Sequence, residues 1–510
     1  MARLIDNLSG QFFSIQILLF SVLKKRCFSC LSHFKTTVFI TIFDQNLIGI
    51  NNGATLKNSI KIASGQGFWG DLPNAPIKQV KNGKIDYLVM DYLAEVTMSI
   101  MQKQRMKNSE YGYARDFVGV VEEVFDEVSI SGVKIVSNAG GVNPRACKDM
   151  LLNIAAEKGY KGLKIAVVDG DDILPDLDRL IDDGHELKNM ETGEPIHTVK
   201  DELLSANIYF GCKPIVKALE EGADIVITGR VTDTGLTLAP MVYEFGWSFD
   251  DFDKMSAGTI AGHIIECGGQ VSGGNFTDWE EIEDFTELGF PIIDAHPDGT
   301  FHVTKHEGTG GLVSEKTVKE QLMYEIGDPS SYITPDCIAD FTSIKLEQDG
   351  KDRVKVYGIT GKEDTPTYKV SASYNDGFKL SSTLVYCWPD AVKKAQKAGE
   401  ILKNRADNLG LEFADFNTEL VGLNACNEDP DMLEGDLSEV NEVQLRVSVH
   451  GYSRNDLNRF GKEIAPLILT GPSGVTGFAG GRPKASSVVA YWPALLDKKA
   501  ADPVVEIFES

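Results

Sequence analysis

The stretch Asp224-Ile225-Val226-Ile227-Thr228-Gly229-Arg230-Val231-Thr232-Asp233 joins a short β-branched run to a polar loop that contains glycine. A continuous apolar run of this length is typical of a strand that is buried on both faces of a sheet. Earlier runs share the pattern, and each is followed by a loop rich in glycine, aspartate or asparagine: Ile60–Ala63, Tyr87–Met90, Val133–Val136 and Leu163–Val168.

Helical stretches separate or follow these runs: Glu122–Val128, Pro144–Lys158, Lys213–Glu221 and Leu236–Phe245. Alternation of strands and helices is the pattern of α/β proteins. We therefore predict an α/β fold with a mostly parallel sheet and flanking helices. The pattern leaves open whether that sheet is open or closed into a barrel.

A different pattern begins after Tyr332. Two alternating runs predict a hairpin with its turn at Gln348-Asp349-Gly350, and a β-α-β-β-α order follows. The runs and elements are Ile338–Leu346, Arg353–Ile359, Leu380–Cys387, Asp390–Leu409, Asn417–Leu423, Glu442–His450 and Arg454–Phe460. This order predicts a smaller α+β lobe of the ferredoxin-like, or split βαβ, type. The predicted domains are an α/β domain (58–335), the lobe (336–465) and a C-terminal segment that returns to the α/β domain (466–510).

The first 57 residues differ from the rest because they are rich in Phe, Ile and Leu and poor in acids. Their apolar run Phe12–Leu23 is shorter than the roughly 20 residues that a membrane span requires. It also lacks the strongly basic start of a signal peptide. We interpret residues 1–57 as an extension outside the fold, with a disordered tail or a targeting segment as the alternatives.

The formal net charge of −25, with no basic stripe to offset it, makes nucleic acid an unsuitable partner. The eight cysteines are too few and too irregularly spaced for a disulfide scaffold. These features predict a cytoplasmic protein with a small-molecule substrate and no stable membrane span. Homo-oligomer formation is left open.

Ligands of parallel α/β folds bind at the carboxyl ends of the strands. Five carboxylates follow the predicted strands closely: Asp91, Glu95, Asp169, Asp171 and Asp233. Carboxylates that share one rim can move protons or bind Mg²⁺ or Mn²⁺. We take Asp91, Glu95, Asp169 and Asp233 as candidate catalytic residues and leave a divalent metal open. The alternative for each is the capping of the next helix.

Glycine-rich loops are candidate substrate-binding elements because glycine lets backbone amides approach an anion. The candidates are Gly67, Asn138, Gly140, Gly141, Gly308, Thr309, Gly310 and Gly311. Arg230 is a further candidate, because a strand-end arginine can hold a carboxylate or phosphate through two hydrogen bonds. A structural ion pair with Asp233 is its alternative.

Two weaker patterns favour structural interpretations. Gly65, Gly67 and Gly70 match the dinucleotide-binding spacing, but Pro73 follows where a helix should open, so a tight turn is favoured. His263 and Glu266 share a helix face, but no second histidine motif accompanies them, which disfavours zinc.

These loops together resemble the acyclic terpene utilisation (AtuA) family from about Ile60 to Ala494. The matching blocks, in order, are Gly67-Phe68-Trp69-Gly70-Asp71, Ile85-Asp86-Tyr87-Leu88-Val89 with Leu93-Ala94-Glu95, Asn138-Ala139-Gly140-Gly141, Thr228-Gly229-Arg230-Val231-Thr232-Asp233, Ala261-Gly262-His263, Glu266-Cys267-Gly268, Glu307-Gly308-Thr309-Gly310-Gly311 and Gly477-Phe478-Ala479-Gly480-Gly481-Arg482.

The resemblance implies a role in bacterial growth on branched isoprenoids such as citronellol and geraniol, alongside enzymes of acyl-CoA metabolism. It assigns no catalytic residue. We therefore expect an enzyme that acts on a branched acyl-CoA thioester or carboxylate by acid/base chemistry, as a hydratase, isomerase or lyase. The alternatives are a non-catalytic partner or scaffold in an acyl-CoA carboxylase assembly and, if the Gly65–Gly70 turn binds a dinucleotide, a nicotinamide-dependent oxidoreductase.

Overall fold

The computed structural model describes residues 57–426, 436–477 and 481–510, and within these ranges all but the side chains of residues 95 and 96. The chain from Lys57 to Ser510 groups as one compact unit. The predicted extension therefore lies outside the described residues, apart from Lys57. Most of the acidic stretch 427–439 and residues 478–480 of the last glycine-rich block also lie outside them.

The strands are numbered in chain order. They are β1 (Ile60–Gln66), β2 (Tyr87–Met90), β3 (Lys134–Ser137), β4 (Lys164–Asp169), β5 (Leu203–Ile208), β6 (Ile225–Thr228), β7 (Pro291–Ala295), β8 (Phe301–Lys305), β9 (Tyr332–Ile333), β10 (Ile338–Asp340), β11 (Lys345–Gln348), β12 (Arg353–Tyr357), β13 (Thr360–Lys362), β14 (Thr367–Cys387), β15 (Asp415–Val421), β16 (Glu442–Gly451), β17 (Val475–Thr476), β18 (Ser486–Asp497) and β19 (Val504–Glu509).

The α-helices are numbered in the same way. They are α1 (Ala75–Lys81), α2 (Glu95–Lys107), α3 (Arg115–Glu123), α4 (Phe125–Ser131), α5 (Pro144–Lys158), α6 (Leu177–Asp182), α7 (Lys213–Glu220), α8 (Gly235–Phe245), α9 (Phe252–Ile265), α10 (Glu315–Met323), α11 (Ala391–Asn408), α12 (Arg454–Ile464) and α13 (Leu467–Thr470). Among the helices of the described ranges, none is long and apolar enough to cross a bilayer.

The main sheet has the strand order β11-β12-β8-β7-β1-β2-β3-β6-β4-β19. Its central strands β1, β2, β3, β6 and β4 are parallel neighbours. Every other pairing along the sheet is antiparallel. The α/β class is therefore confirmed, but the prediction of a mostly parallel sheet is wrong for the sheet as a whole. The cause is that hairpin strands and the C-terminal strand β19 extend the parallel centre at both edges.

A second sheet is built around β14, which has 21 residues. Its strand order is β15-β16-β14-β17, and β5 and β18 also pair with β14. The inward positions of β16 alternate strictly with more exposed ones, as expected where one face packs on helices and the other does not. The covering side chains come from α11 and α12 and form a separate apolar core with these strands.

The helices beside the central strands follow local sequence signals. Helix α5 has the predicted bounds, because Pro144 occupies its first turn and Asn143 accepts a hydrogen bond from the Ala146 amide. The predicted helix Glu122–Val128 is helical except at Val124, so it is confirmed as helix but is divided between two helices. Val124 leaves the helical conformation, with φ −115° and ψ 14°, and separates α3 from α4. Apolar side chains cover both faces of the main sheet as two large cores.

Candidate functional site

The carboxyl ends of four neighbouring parallel strands lie along one edge of the main sheet. Gln66 pairs with Met90, Met90 with Ser137, and Ser137 with Ile227. The residues that follow these strands are therefore close in space although they are far apart in sequence. This edge holds the candidate site.

Asp91 is buried immediately after β2. Its Oδ1 accepts hydrogen bonds from Asn138 Nδ2 at 2.7 Å and from the Leu93 amide at 3.0 Å. Burial raises the pKa of Asp91 well above its ordinary value, repulsion by Asp233 raises it further, and Arg230 opposes the shift. This carboxyl group therefore holds a proton more readily than an exposed aspartate does.

Asn138 positions the loop after β2. Its side chain oxygen accepts the Tyr92 amide at 2.7 Å while its nitrogen donates to Asp91. Because Asn138 is fully buried, both interactions are protected from water. Asn138 therefore supports the Asp91 carboxyl group.

Arg230 is 1% exposed and connects two strand ends. Its guanidinium donates to Asp233 at 2.7 and 3.3 Å and to the Leu93 carbonyl at 2.8 Å. The guanidinium carbon lies 4.0 Å from the centre of the Tyr209 ring, a stacking distance that suits an arginine. The Nε–H group of Arg230 is buried and has no hydrogen-bond partner among the described atoms. The arginine thus forms the structural ion pair and also retains a free donor.

Asp169, the last residue of β4, and Asp171, two positions later, have different surroundings. Buried Asp171 accepts hydrogen bonds from the Arg230 amide and from Asn207, both at 2.8 Å. Burial raises its pKa to about 7. Asp169 instead forms an ion pair with Arg145 at 3.0 Å, and both side chains are partly exposed. The carboxylates after the strands therefore do not all converge.

His263 and Glu266 at the end of α9 add a second acid/base pair to this neighbourhood. His263 Nδ1 lies 2.9 Å from Glu266 Oε1, and His263 Nε2 lies 3.0 Å from the Gln321 carbonyl oxygen. Since the carbonyl can only accept, Nε2 carries a hydrogen. The Nδ1–Oε1 contact then needs one further proton, on either His263 or Glu266.

The electrostatics of this pair favour retention of that proton. Burial by itself would lower the pKa of His263, but the Glu266 carboxylate raises it above the ordinary value. Burial raises the pKa of Glu266, and nearby Asp233 contributes to the rise while His263 opposes it. The second carboxyl oxygen, Oε2, is buried without a hydrogen-bond partner among the described atoms. Glu266 therefore has one oxygen available to a ligand.

Tyr332 and Cys267 complete the surroundings of Glu266. The Tyr332 ring lies 5.6 Å from that of His263, and burial together with Glu266 raises its pKa well above the ordinary value. Burial also raises the pKa of the Cys267 thiol to about 12. Because the thiolate is the reactive form, Cys267 is not an activated nucleophile.

Gly67 lets the loop after β1 pack against the turn after α9. A Cβ atom at Gly67 would lie 2.7 Å from the Cys267 carbonyl carbon and 2.8 Å from the Gly268 nitrogen. Its amide donates to Asp71 at 3.0 Å, and no helix opens at Gly70. The loop therefore has the geometry of a tight turn and brings Glu266 towards the strand ends.

The paired glycines after β3 also serve packing. A Cβ atom at Gly140 would lie 2.5 Å from the Thr228 carbonyl oxygen, and one at Gly141 would lie 2.1 Å from Met101 Sδ. The Gly141 amide donates to the Asn138 carbonyl at 3.1 Å. This amide is therefore engaged within the turn.

The loop of Gly308, Thr309, Gly310 and Gly311 lies after β8, three strand positions from β2 in the main sheet. The Gly310 and Gly311 amides donate to backbone carbonyls of residues 287 and 284, at 2.7 and 3.0 Å. Gly308 and Thr309 line a groove of about 810 Å³. Neither Asp91 nor Arg230 is among the residues that line this groove. The structure does not bring this predicted loop together with the strand-end carboxylates.

Glu95 is the first residue of α2, and its side chain lies outside the described part of the chain. The predicted residues that do meet are Asp91, Asn138, Arg230 and Asp233. His263 and Glu266 lie near this group, because a Cβ atom at Gly262 on the same helix would lie 2.6 Å from the Thr234 Cα atom and Asp233 contributes to the raised pKa of Glu266. The sequence had favoured a purely structural helix there. Their three-residue spacing predicted that the two side chains lie on one face of a helix. It could not predict which segments that face packs against.

Comparisons with known proteins support one assignment. Neither the curated proteins nor the solved structures gave a match to this chain. The model of the family described as acyclic terpene utilisation family protein AtuA matches residues 60–507, which include every element from β1 to most of β19. The chain therefore belongs to the acyclic terpene utilisation (AtuA) family.

Proposed function

We propose that this protein is an enzyme of acyclic terpene catabolism that acts on a branched acyl-CoA thioester or carboxylate by acid/base chemistry. The supporting observation is a pair of buried groups without hydrogen-bond partners among the described atoms, each on a side chain that interacts with Asp233. Arg230 Nε–H is a donor without an acceptor, and Glu266 Oε2 is an acceptor without a donor. Most buried polar groups in native structures are hydrogen-bonded, and a catalytic or binding role is one explanation for those that are not.

The chemistry of the proposed substrates fits these two groups. Hydration, double-bond migration and C–C cleavage next to a carboxyl or thioester carbonyl all move a proton at the adjacent carbon. All three also place negative charge on the carbonyl oxygen. Glu266, paired with His263, is our candidate for the proton transfer, and the Arg230 donor is our candidate for the oxygen.

Asp91 is the second candidate acid in this proposal. Burial and the charge of Asp233 favour its protonated form, so Asp91 and Glu266 can act as an acid and a base. Asp169 has no part in the proposed reaction, because it pairs with Arg145 at a partly exposed position.

The test incubates the purified chain with branched unsaturated acyl-CoA thioesters and the matching free acids and follows products by mass spectrometry. We expect Glu266→Gln and Asp91→Asn each to reduce kcat at least about 100-fold, as is usual for loss of a general acid or base. Asp169→Asn is the matched control and should stay within about threefold of the wild type.

Equal turnover by Glu266→Gln and the wild type would contradict the proposed role of Glu266. Absence of turnover on both substrate classes, together with co-purification of biotin-dependent acyl-CoA carboxylase subunits, would instead favour the non-catalytic partner.

A further inference from the structure

A second polar cluster, which we call the hairpin cluster, consists of Asp294, His296 and His302. Asp294 lies on β7, His302 lies on β8, and His296 begins the turn between them. One nitrogen of each histidine and one carboxylate oxygen of Asp294 all lie within 4.8 Å of one another. Imidazole and carboxylate groups at such distances form a suitable ligand set for a single metal ion.

The hairpin positions these groups by its register. Asp294 pairs directly with His302 across the two strands, so their side chains project from the same face. The neighbouring pair Ile60–Ala295 places the cluster beside the amino end of β1. Asp91 and Arg230 follow the opposite, carboxyl ends of the parallel strands, so the hairpin cluster is separate from the proposed active site.

His302 supplies the observation that points to a ligand. The residue is 9% exposed, and its Nε2 lies 3.0 Å from Asp349 Oδ2. Its Nδ1 is buried and has no hydrogen-bond partner among the described atoms. A hydrogen on Nε2, the nitrogen that faces the Asp349 carboxylate, leaves Nδ1 with a free lone pair. A carboxylate on the far nitrogen is also the usual second partner of a metal-binding histidine.

Arg353 contacts both Asp294 and Asp349. Its two terminal nitrogens both lie 3.2 Å from Asp294 Oδ2, and its Nε lies 3.6 Å from Asp349 Oδ2. Both contacts to Asp294 go to one oxygen, so Oδ1 faces no competition from them. Arg353 therefore orients Asp294 and offsets part of the negative charge.

We propose that Asp294, His296 and His302 bind one late first-row divalent metal ion, such as Zn²⁺ or Co²⁺. Two imidazole ligands favour these ions over Mg²⁺ and Ca²⁺, which prefer oxygen ligands throughout. Three protein ligands leave a coordination position for water or a small ligand.

The test uses the untagged full-length chain carrying Cys27→Ser and Cys30→Ser, so that these two thiols, which are only three positions apart, do not compete for the metal. Equilibrium dialysis against Co²⁺, with visible absorption and elemental analysis, reports stoichiometry and affinity. We expect one equivalent in this background and at least tenfold weaker binding in Asp294→Asn and His302→Gln. His197→Gln, at an exposed histidine, is the matched control and should bind like its parent.

Thermal melting separates loss of the site from loss of the fold. Co²⁺ should raise the melting temperature of His197→Gln but not that of His302→Gln. If His302→Gln does not fold, His296→Gln takes its place, since His296 lies at the turn and is less buried. No Co²⁺ uptake by the parent, or equal uptake by the parent and the folded histidine variant, would overturn the proposal.

Discussion

Arg230 donates hydrogen bonds to both carboxylate oxygens of Asp233, at 2.7 and 3.3 Å. The same guanidinium reaches the Leu93 carbonyl at 2.8 Å, so one side chain joins the loop after β6 to the loop after β2. Arg230 and Asp233 are only three positions apart in the sequence. Because Arg230 is buried and also bonds to the loop after β2, their ion pair connects segments that are distant in the sequence. The ion pair therefore holds together the edge of the sheet where the candidate site lies.

Arg230→Lys should destabilise the protein by about 1–3 kcal/mol. A lysine keeps the charge but cannot hold Asp233 through two nitrogens while stacking on Tyr209. Urea unfolding measures the loss, and turnover should fall as well if Arg230 Nε–H contacts the substrate. Arg145→Lys, at the partly exposed pair with Asp169, is the control and should change stability by less than about 1 kcal/mol.

Gly67→Ala should destabilise the chain by about 1–3 kcal/mol, because the new methyl group meets the backbone of residues 267 and 268. It should also reduce turnover, since that segment follows Glu266. Gly119→Ala is the control, because a Cβ atom there meets nothing within 4 Å and the residue lies within α3. It should be neutral or stabilising by up to about 1 kcal/mol. A Gly67→Ala variant that melts like the wild type would contradict the close approach.

Asp171→Asn should become more stable relative to the wild type as pH rises from about 4 to 8. The pKa of Asp171 is raised to about 7 in the folded chain, whereas an unfolded aspartate titrates near 3.9. Between these values the folded state holds a proton that the unfolded state has released, so the stability of the wild type falls with pH. Asparagine cannot ionise, so this part of the pH dependence should disappear.

Unfolding free energies of both proteins, measured at half-unit steps of pH, test this expectation. The difference between them should grow by the order of 2–4 kcal/mol across the window. A difference that does not vary with pH would show that Asp171 titrates normally.

A chain that begins at Lys57 should melt like the full-length protein. Lys57 itself bridges Asp86 at 3.0 Å and Glu244 at 3.1 Å. Starting at Asn58 instead removes this bridge, and the loss should stay within about 1 kcal/mol because the lysine is 40% exposed. Thermal melting of the full-length protein and of the chains that begin at Lys57 and at Asn58 measures both effects. A drop of ~5 °C or more on removal of residues 1–56 would show that the extension stabilises the fold.

The central parallel strands could be predicted because the pattern that marks them, an apolar run followed by a polar loop, lies within a few consecutive residues. β2, β3 and β6 are buried apolar runs, and each is followed by a polar loop. Asp91, Asn138 and Arg230 were candidates for the same reason, since each lies within two residues of the end of such a run. The start of the helix at Pro144 could also be predicted, because the signals that start a helix lie within one turn of it.

The edges of the sheet were decided by tertiary structure. The hairpin of β7 and β8, and β19 from the end of the chain, pair with strands far away in sequence. β5 belongs to the second sheet, where it pairs antiparallel with β14. Periodicity within a strand reports burial but does not identify the neighbouring strand, so the antiparallel extensions could not be derived from it.

The same distinction applies to the candidate site. The sequence by itself determined which side chains follow the parallel strands, because strand and loop are adjacent along the chain. Only the tertiary structure decided that Asp169 faces Arg145 and that α9 brings Glu266 beside Asp233. The reason is physical: burial, hydrogen-bond partners and the resulting pKa shifts depend on contacts between segments that are far apart in the sequence, and local sequence patterns do not specify those contacts.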